Sequence, residues 1–114
     1  MRSNNFLNNN QKIVDSKTSF NKYEFCLILK IYGLMVSLGE WRDYKISIFE
    51  NYSSFCIYRH TAEIPIYSIK KIKYHKKNTY FYFVTDFAGT VLKRGDDLKS
   101  VLKIFNKMLF KLCR

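Results

Sequence analysis

Four short segments with an apolar period of two follow one another between residues 44 and 86, and the connections between them are very short. The segments read, in order, YKISI, SSFCIYRH, IPIYSIKKIKYH and TYFYFVTD. Parallel neighbours need a crossover of a dozen or more residues, whereas breaks at 51–53, 60–65 and 76–78 suit direct turns. A turn at DFAG and the segment TVLK add a short fifth strand. The sequence therefore predicts an antiparallel meander of four to five strands.

The segment before the meander has the signals of a helix with a wide apolar surface. Asn21 and Glu24 match a capping box, and Gly39 supplies a left-handed stop. The first apolar stripe comprises Phe25, Ile28, Leu29, Tyr32, Met35 and Val36, and an adjoining stripe comprises Leu27, Ile31, Leu34 and Leu38. One sheet covers one stripe, so we expect a second cover, either another helix or a second subunit.

The segment after the meander predicts a second helix. Asp96 or Asp97 caps it, and lysines recur every four residues from Lys99 to Lys111, opposite an apolar face. The predicted fold is α+β: an N-terminal helix, the meander and a C-terminal helix, with both helices on one face of the sheet. Residues 1–19, polar and rich in Asn, are predicted to be a flexible tail, and residues 20–114 a single α+β domain.

The charge of the chain favours an anionic partner. Lys and Arg outnumber Asp and Glu by 20 to 9, a net charge of +11, which is typical of proteins that bind RNA, DNA or an acidic protein. The abundance of Lys, Asn, Ile, Phe and Tyr is also typical of AT-rich coding, which raises the Lys count without selection for binding. The basic excess therefore suggests a partner class without identifying the partner.

Other chemistry leaves little trace in the sequence. Cys26, Cys56 and Cys113 are widely spaced, and with His60 and His75 they form no ligand pattern, so no metal and no cofactor is predicted. No signal peptide is visible, and the longest apolar run falls short of the roughly 20 residues of a membrane span. We therefore expect no membrane span and a cytoplasmic location.

Three longer segments carry a family resemblance. They read YGLMVSLGEWRDYKI, FCIYRHTAEIPIYSIKK and VLKRGDDLKSVLKIFNKML. They resemble the signature blocks of the alphaproteobacterial domain-of-unknown-function family 2794, over roughly residues 20–112. The resemblance implies a small bacterial protein and supplies no activity or catalytic residue. In that family the segment after KRG usually reads His-Asp, whereas this chain has Asp96 and Asp97, so no histidine role is carried over.

Two polar segments are candidates for a ligand-binding or catalytic site. GEWRDY contains Trp41 and Arg42 just after the first helix. The favoured interpretation is structural: Trp41 closes the edge of the core, and Arg42 pairs with a nearby acid or with the last carbonyls of the helix. RHTAE brings Arg59, His60 and Glu63 onto one connection, and His60 is the best candidate for a general base. No nucleophile with suitable spacing accompanies it, so no catalytic residue is predicted and an enzyme centred on His60 is the least favoured alternative.

An aromatic and basic sheet face is the strongest functional signal. Because strand side chains alternate, TYFYFVTD is interpreted with its phenylalanines toward the helices and its tyrosines on the open face. The predicted nucleic-acid-binding residues are Tyr67, Tyr80, Tyr82, Lys70, Lys71, Lys73, Lys76 and Lys77. Rings next to cations suit single-stranded nucleic acid. We expect a small non-catalytic module that binds an anionic partner, with RNA or DNA slightly preferred. The alternative is a homodimer or adaptor using the apolar first helix.

Overall fold

A computed structural model describes residues 17–60, 64–74 and 79–112. Helix α1 (Lys22–Ser37) is followed by strands β1 (Asp43–Ile48), β2 (Tyr52–Tyr58), β3 (Tyr67–Lys73), β4 (Tyr80–Asp86) and β5 (Val91–Gly95), and then by helices α2 (Leu98–Val101) and α3 (Lys103–Leu112). The strands form one antiparallel sheet in the order β1-β2-β3-β4-β5. The predicted order of helix, meander and helix is confirmed.

Helix α1 begins and ends at the residues that the sequence indicates. The Asn21 side chain accepts a hydrogen bond from the Glu24 N–H at 2.8 Å, and the Glu24 carboxylate accepts one from the Asn21 N–H at 2.7 Å. This reciprocal arrangement satisfies two backbone donors that the first helical turn leaves unpaired. At the other end, Gly39 has a φ of 78°, a left-handed conformation that costs glycine least.

Each apolar stripe of α1 is covered in part within the chain, and the residues that stay exposed are Leu29, Leu34, Val36 and Leu38. The first stripe packs on the sheet, where Ile28 and Met35 are buried and the Tyr32 ring lies 5.9 Å from the Phe55 ring. From the second stripe, Leu27 and Ile31 pack against the core beside the C-terminal helices. A cavity of about 170 Å³ there is lined by residues of both helical regions. The second cover is therefore a helix, which is one of the two predicted alternatives.

The C-terminal helix is bent rather than continuous. Helix α2 ends at Val101, and α3 starts at Lys103, with Leu102 at the joint. There the Phe105 N–H donates to the Leu102 carbonyl at 3.0 Å, a tighter pairing than that of an α-helix. Helix α2 contacts β4 and β5, whereas α3 contacts α1. The bend thus lets one helical segment cover the end of the sheet and the next reach the first helix.

The core lies between the helices and one face of the sheet. Phe55, Ile57, Ile69 and Val84 project from neighbouring strands into it and are fully buried. Trp41 closes its edge, with its ring 5.1 Å from the Phe105 ring. Among the described residues, no helix packs on the opposite face, which we call the open face. The prediction that both helices lie on one side of the sheet is confirmed.

The folded region includes residues that the sequence assigned to the tail. The Thr18 N–H donates to the Phe49 carbonyl at 2.9 Å, and its hydroxyl donates to the Glu50 carbonyl at 2.9 Å. Thr18 and Phe20 are both buried. The chain is therefore fixed to the turn after β1 at least two residues before the predicted boundary, and residues 1–16 of the predicted tail lie outside the described residues.

Candidate functional site

The open face consists of alternate residues from the five strands, aligned in rows by the strand register. One row crosses the whole sheet and contains Ser47, Ser54, Lys70, Phe83 and Arg94. Neighbouring strands lie about 4.8 Å apart, so the Phe83 position has a cationic residue on either side within about one strand spacing. The Phe83 ring is half-buried, and Arg94 is exposed. This row places an aromatic ring between two positive charges.

The neighbouring rows divide the open face into an aromatic half and a hydroxyl half. On one side of the central row, Tyr52, Ile72 and Phe81 lie in register. The Tyr52 ring is stacked on the Phe49 ring at 4.6 Å, and the Tyr74 ring meets the Phe81 ring edge-on at 4.9 Å. On the other side of the central row, the residues of the open face are small and polar. They are Cys56, Ser68 and Thr85.

Two cavities meet at the pair formed by Tyr74 and Phe81. One, of about 400 Å³, is also lined by Phe83, Arg94 and Gly95. The other, of about 440 Å³, shares the same two rings and is completed by Thr79, Tyr80, Tyr82 and Asp96. Both volumes fall in the range of small-molecule sites. We call the two cavities together the aromatic notch. It lies beside the first residues of strand β4, and its lining includes Tyr80 and Tyr82 as well as residues of the open face.

The predicted orientation of strand β4 is wrong. Tyr82 is only 8% exposed and lies on the helix side, whereas Phe81 and Phe83 lie on the open face. Lys71, predicted to be on the open face, is only 5% exposed. Tyr80 and Tyr67 pack against the core as well. Two aromatic residues fall on each side of TYFYFVTD in either phase, so the alternation alone does not decide which pair turns inward.

A buried acid explains why the polar aromatic side chains turn inward. The Lys71 ammonium donates to the Glu24 carboxylate at 2.8 Å and to the Ser19 carbonyl at 2.9 Å, and the Tyr82 hydroxyl donates to the second Glu24 oxygen. The same ammonium lies 4.3 Å from the centre of the Tyr80 ring. We call these side chains the Glu24 cluster. In this cluster each buried polar group has a hydrogen-bonding partner in the protein, which takes the place of the water that burial removes.

The chemistry of the Glu24 cluster indicates a structural role. Burial, followed by the hydrogen bond to Glu24, raises the pKa of the Tyr82 phenol above its ordinary value. A phenol with a raised pKa keeps its proton and is a poor base or nucleophile at neutral pH. The cluster links the first turn of α1 to strands β3 and β4. The capping-box pattern in the sequence identified Glu24 but gave no signal for its partners on the sheet.

Of the predicted lysines, only Lys70 is found on the open face of the described residues. It is half-buried and lies opposite Phe83. Lys73 lies opposite Tyr80 on the helix side of the sheet. Lys76 and Lys77 lie outside the described residues. Arg94 takes a place in the central row that the sequence did not predict, because the predicted fifth strand, TVLK, ends at Lys93 and the observed β5 continues to Gly95.

Four of the five residues of the predicted polar segments lie within the described residues: Trp41, Arg42, Arg59 and His60. Arg59 pairs with Glu40 at 2.9 Å and also donates to the Glu40 carbonyl at 3.2 Å. Trp41 is buried at the edge of the core, in agreement with the structural interpretation of GEWRDY. Arg42 and His60 are exposed, and Glu63 lies outside the described residues. A cavity of about 250 Å³ beside the ion pair is lined by Trp41 and Arg59 but, among the described residues, not by His60.

The structure also bears on metal binding and on membrane insertion. Within the ranges that the structure describes, no group of three His, Cys, Asp or Glu side chains is arranged to hold a metal ion. In the same ranges, no helix has both the length and the apolar character needed to cross a membrane.

The fold and the open face define a small α+β protein in which helices cover one side of a five-stranded meander and leave aromatic and basic residues on the other. The chain belongs to the family described as "Protein of unknown function (DUF2794)", whose profile matches residues 18–102. The resemblance stated above is thus confirmed, and the match starts at the residue that bridges to Phe49. No curated protein and no solved structure gives a significant match.

Proposed function

We propose that this protein is a non-catalytic module that binds single-stranded RNA or DNA on the open face of its sheet. The observation that carries the proposal is the central row, in which Phe83 lies between Lys70 and Arg94. Bases stack on partly exposed rings, and cations on either side neutralise the adjoining phosphates. The sequence predicted this role for Tyr80 and Tyr82, whereas the present proposal assigns it to Phe81 and Phe83 of the same strand.

The shape and charge of the open face favour nucleic acid over an acidic protein. On the aromatic half, Tyr52 and Phe81 lie in one row and Phe83 lies in the central row, while the Tyr74 ring contacts the Phe81 ring edge-on. Such a platform accepts successive flat bases regardless of sequence. The net charge of +11 adds a long-range attraction to a polyanion. A nucleic-acid partner is also compatible with the proposed cytoplasmic location.

The direct test is fluorescence anisotropy with labelled single-stranded oligonucleotides of mixed sequence. We expect binding at low salt and a steep loss of affinity as salt increases, because bound phosphates release counterions. Phe83→Ala should weaken binding by about 1 to 3 kcal/mol, the contribution of one stacked base. Absence of binding at micromolar protein and low salt would refute the proposal, and binding of acidic peptides alone would favour the protein alternative.

Strand β5 offers a matched control for the charge. Arg94 lies opposite Phe83 on the open face, whereas its neighbour Lys93 is exposed and lies opposite Val84. Arg94→Gln should reduce the slope of log affinity against log salt by about 1, the value for one phosphate contact. Lys93→Gln removes the same charge from the same strand and should change the slope less. Equal effects of both substitutions would indicate general electrostatic attraction without a defined face.

A homodimer is the second candidate function. Leu29 and Val36, two turns apart in the first apolar stripe of α1, are 44% and 40% exposed. Exposed apolar side chains on one helical stripe favour association with a second apolar surface. Light scattering should then report a dimer at tens of micromolar protein, and Leu29→Lys should produce a monomer. A monomeric parent protein would remove this candidate.

A further inference from the structure

We infer that the aromatic notch holds one unpaired base of the bound strand, with Arg94 on an adjoining phosphate and Asp96 on the exocyclic amino group of the base. The inference rests on the proposed function, because it assigns one nucleotide of the strand to a position on the open face. It also predicts a base preference, which a stacking platform alone does not have. Cytosine, adenine and guanine carry the required amino group, whereas uracil and thymine do not.

The rings of the notch have the geometry that a single base requires. Tyr74 and Phe81 meet at 75° with centres 4.9 Å apart, so they form two walls nearly at right angles. A flat ligand stacked on one wall meets the edge of the other, and both arrangements are favourable for aromatic rings. Tyr74 is 53% exposed, which leaves ring surface accessible. Phe83 extends the same wall two residues along β4.

The charges of the notch fix the direction in which a nucleotide would lie. Arg94 lines the cavity on the Phe83 side, and Asp96 lines the cavity on the other side of the shared rings. A guanidinium binds phosphate oxygens through several N–H donors. An ionised carboxylate only accepts hydrogen bonds and repels phosphate, so it pairs with an amino group of the base. One charge therefore orients the phosphate and the other selects the base.

Cytosine and uracil make the sharpest comparison, because they differ in a single ring substituent, at C4, and in the proton that uracil carries on N3. At C4 cytosine presents an amino donor, and uracil presents a carbonyl acceptor. Anisotropy with the full chain and labelled oligo(C) or oligo(U) of equal length should show roughly tenfold tighter binding of oligo(C), as expected for one hydrogen bond to a charged group. Asp96→Asn should remove most of this difference, since an amide both donates and accepts.

Controls separate this inference from the proposed function. Asp96 is exposed, so the Asn variant should keep the circular dichroism spectrum of the parent, and Arg94→Gln should weaken both oligonucleotides equally. Photocrosslinking with 5-iodocytidine should label the peptide that contains Tyr74 or the peptide that contains Phe81. Equal affinity for both oligonucleotides, or crosslinks confined to the Phe49 and Tyr52 end of the face, would overturn the base assignment and leave the proposed function standing. No binding of either oligonucleotide would refute the proposed function itself.

Discussion

The Glu24 cluster gives a stability prediction that depends directly on burial. Glu24→Gln keeps the length of the side chain and its capping geometry, because glutamine also occupies this capping-box position. It removes the negative charge that faces the Lys71 ammonium at 2.8 Å, and it puts an NH2 group in place of one of the two acceptor oxygens that Asn21, Lys71 and Tyr82 share. Both side chains of this pair are 6% exposed, so water cannot replace the lost partner. The substitution therefore leaves a buried cation without a counter-charge.

The cost follows from that uncompensated charge. Removing one member of a buried ion pair lowers the free energy of unfolding by about 3 to 5 kcal/mol. A domain of this size has a total stability of about 5 to 15 kcal/mol, so the variant should lose a large part of it. With a denaturant slope of about 2 kcal/mol per molar urea, the unfolding midpoint should fall by roughly 2 M.

Urea unfolding monitored by circular dichroism measures this loss, and the chain contains a matched control. Glu40 pairs with Arg59 at 2.9 Å, nearly the same distance, but those side chains are 32% and 51% exposed. Glu40→Gln should therefore cost at most about 1 kcal/mol. Combining Glu24→Gln with Lys71→Met removes the orphaned charge and should recover most of the stability. If Glu24→Gln costs no more than Glu40→Gln, the pair is not desolvated as described.

Three further predictions concern the backbone, the phenol and the core edge. Gly39→Ala should lower the free energy of unfolding by about 1 kcal/mol because Gly39 has a positive φ. Gly33→Ala should raise it by up to about 1 kcal/mol, because Gly33 lies in the interior of α1 with open space around it. Chemical denaturation measures both changes, and a change in the same direction for both variants would contradict this explanation. Folding raises the pKa of Tyr82, so the unfolded chain loses this proton first as the pH rises. The contribution of Tyr82 to the free energy of unfolding should therefore be fully present below about pH 10 and should decrease as the pH rises above about 10. Tyr82→Phe should abolish that part of the pH dependence in urea titrations at pH 8 to 11, and an unchanged profile would mean that another group causes it. Trp41→Ala should cost about 3 to 5 kcal/mol in thermal or urea unfolding, because the side chain is only 3% exposed; a cost below 1 kcal/mol would mean that the core edge repacks.

The order and type of the elements were predictable because they depend on local signals. The capping residues Asn21 and Glu24 determine the start of α1, and the positive φ of Gly39 matches its predicted role as the stop. Short connections determine the antiparallel topology, since they exclude crossovers. The bend at Leu102 was not predictable from the same signals. The apolar periodicity runs through that joint, and the bend depends on where the sheet and α1 lie in space.

The orientation of the open face was not predictable, because it depends on contacts distant in sequence. Strand β4 carries two phenylalanines on one side and two tyrosines on the other, and hydrophobicity alone places the phenylalanines inward. The opposite arrangement occurs because the acceptor for Tyr82 comes from Glu24, 58 residues earlier in the chain. Arg94 was not predicted for a different reason, because TVLK ends one residue before it, whereas β5 extends to Gly95 and pairs Arg94 with Phe83.

The buried acid thereby connects stability with the proposed binding surface. A strand has a side-chain period of two, so holding Tyr82 against Glu24 on one side leaves Phe81 and Phe83 on the other. The same acid holds Lys71 inside, which sends its neighbour Lys70 to the open face opposite Phe83. Two inward polar contacts on adjacent strands thus place a ring and a cation next to each other on the outer face. A sequence that kept the strand pattern but lost the acid would have no polar reason to choose this orientation.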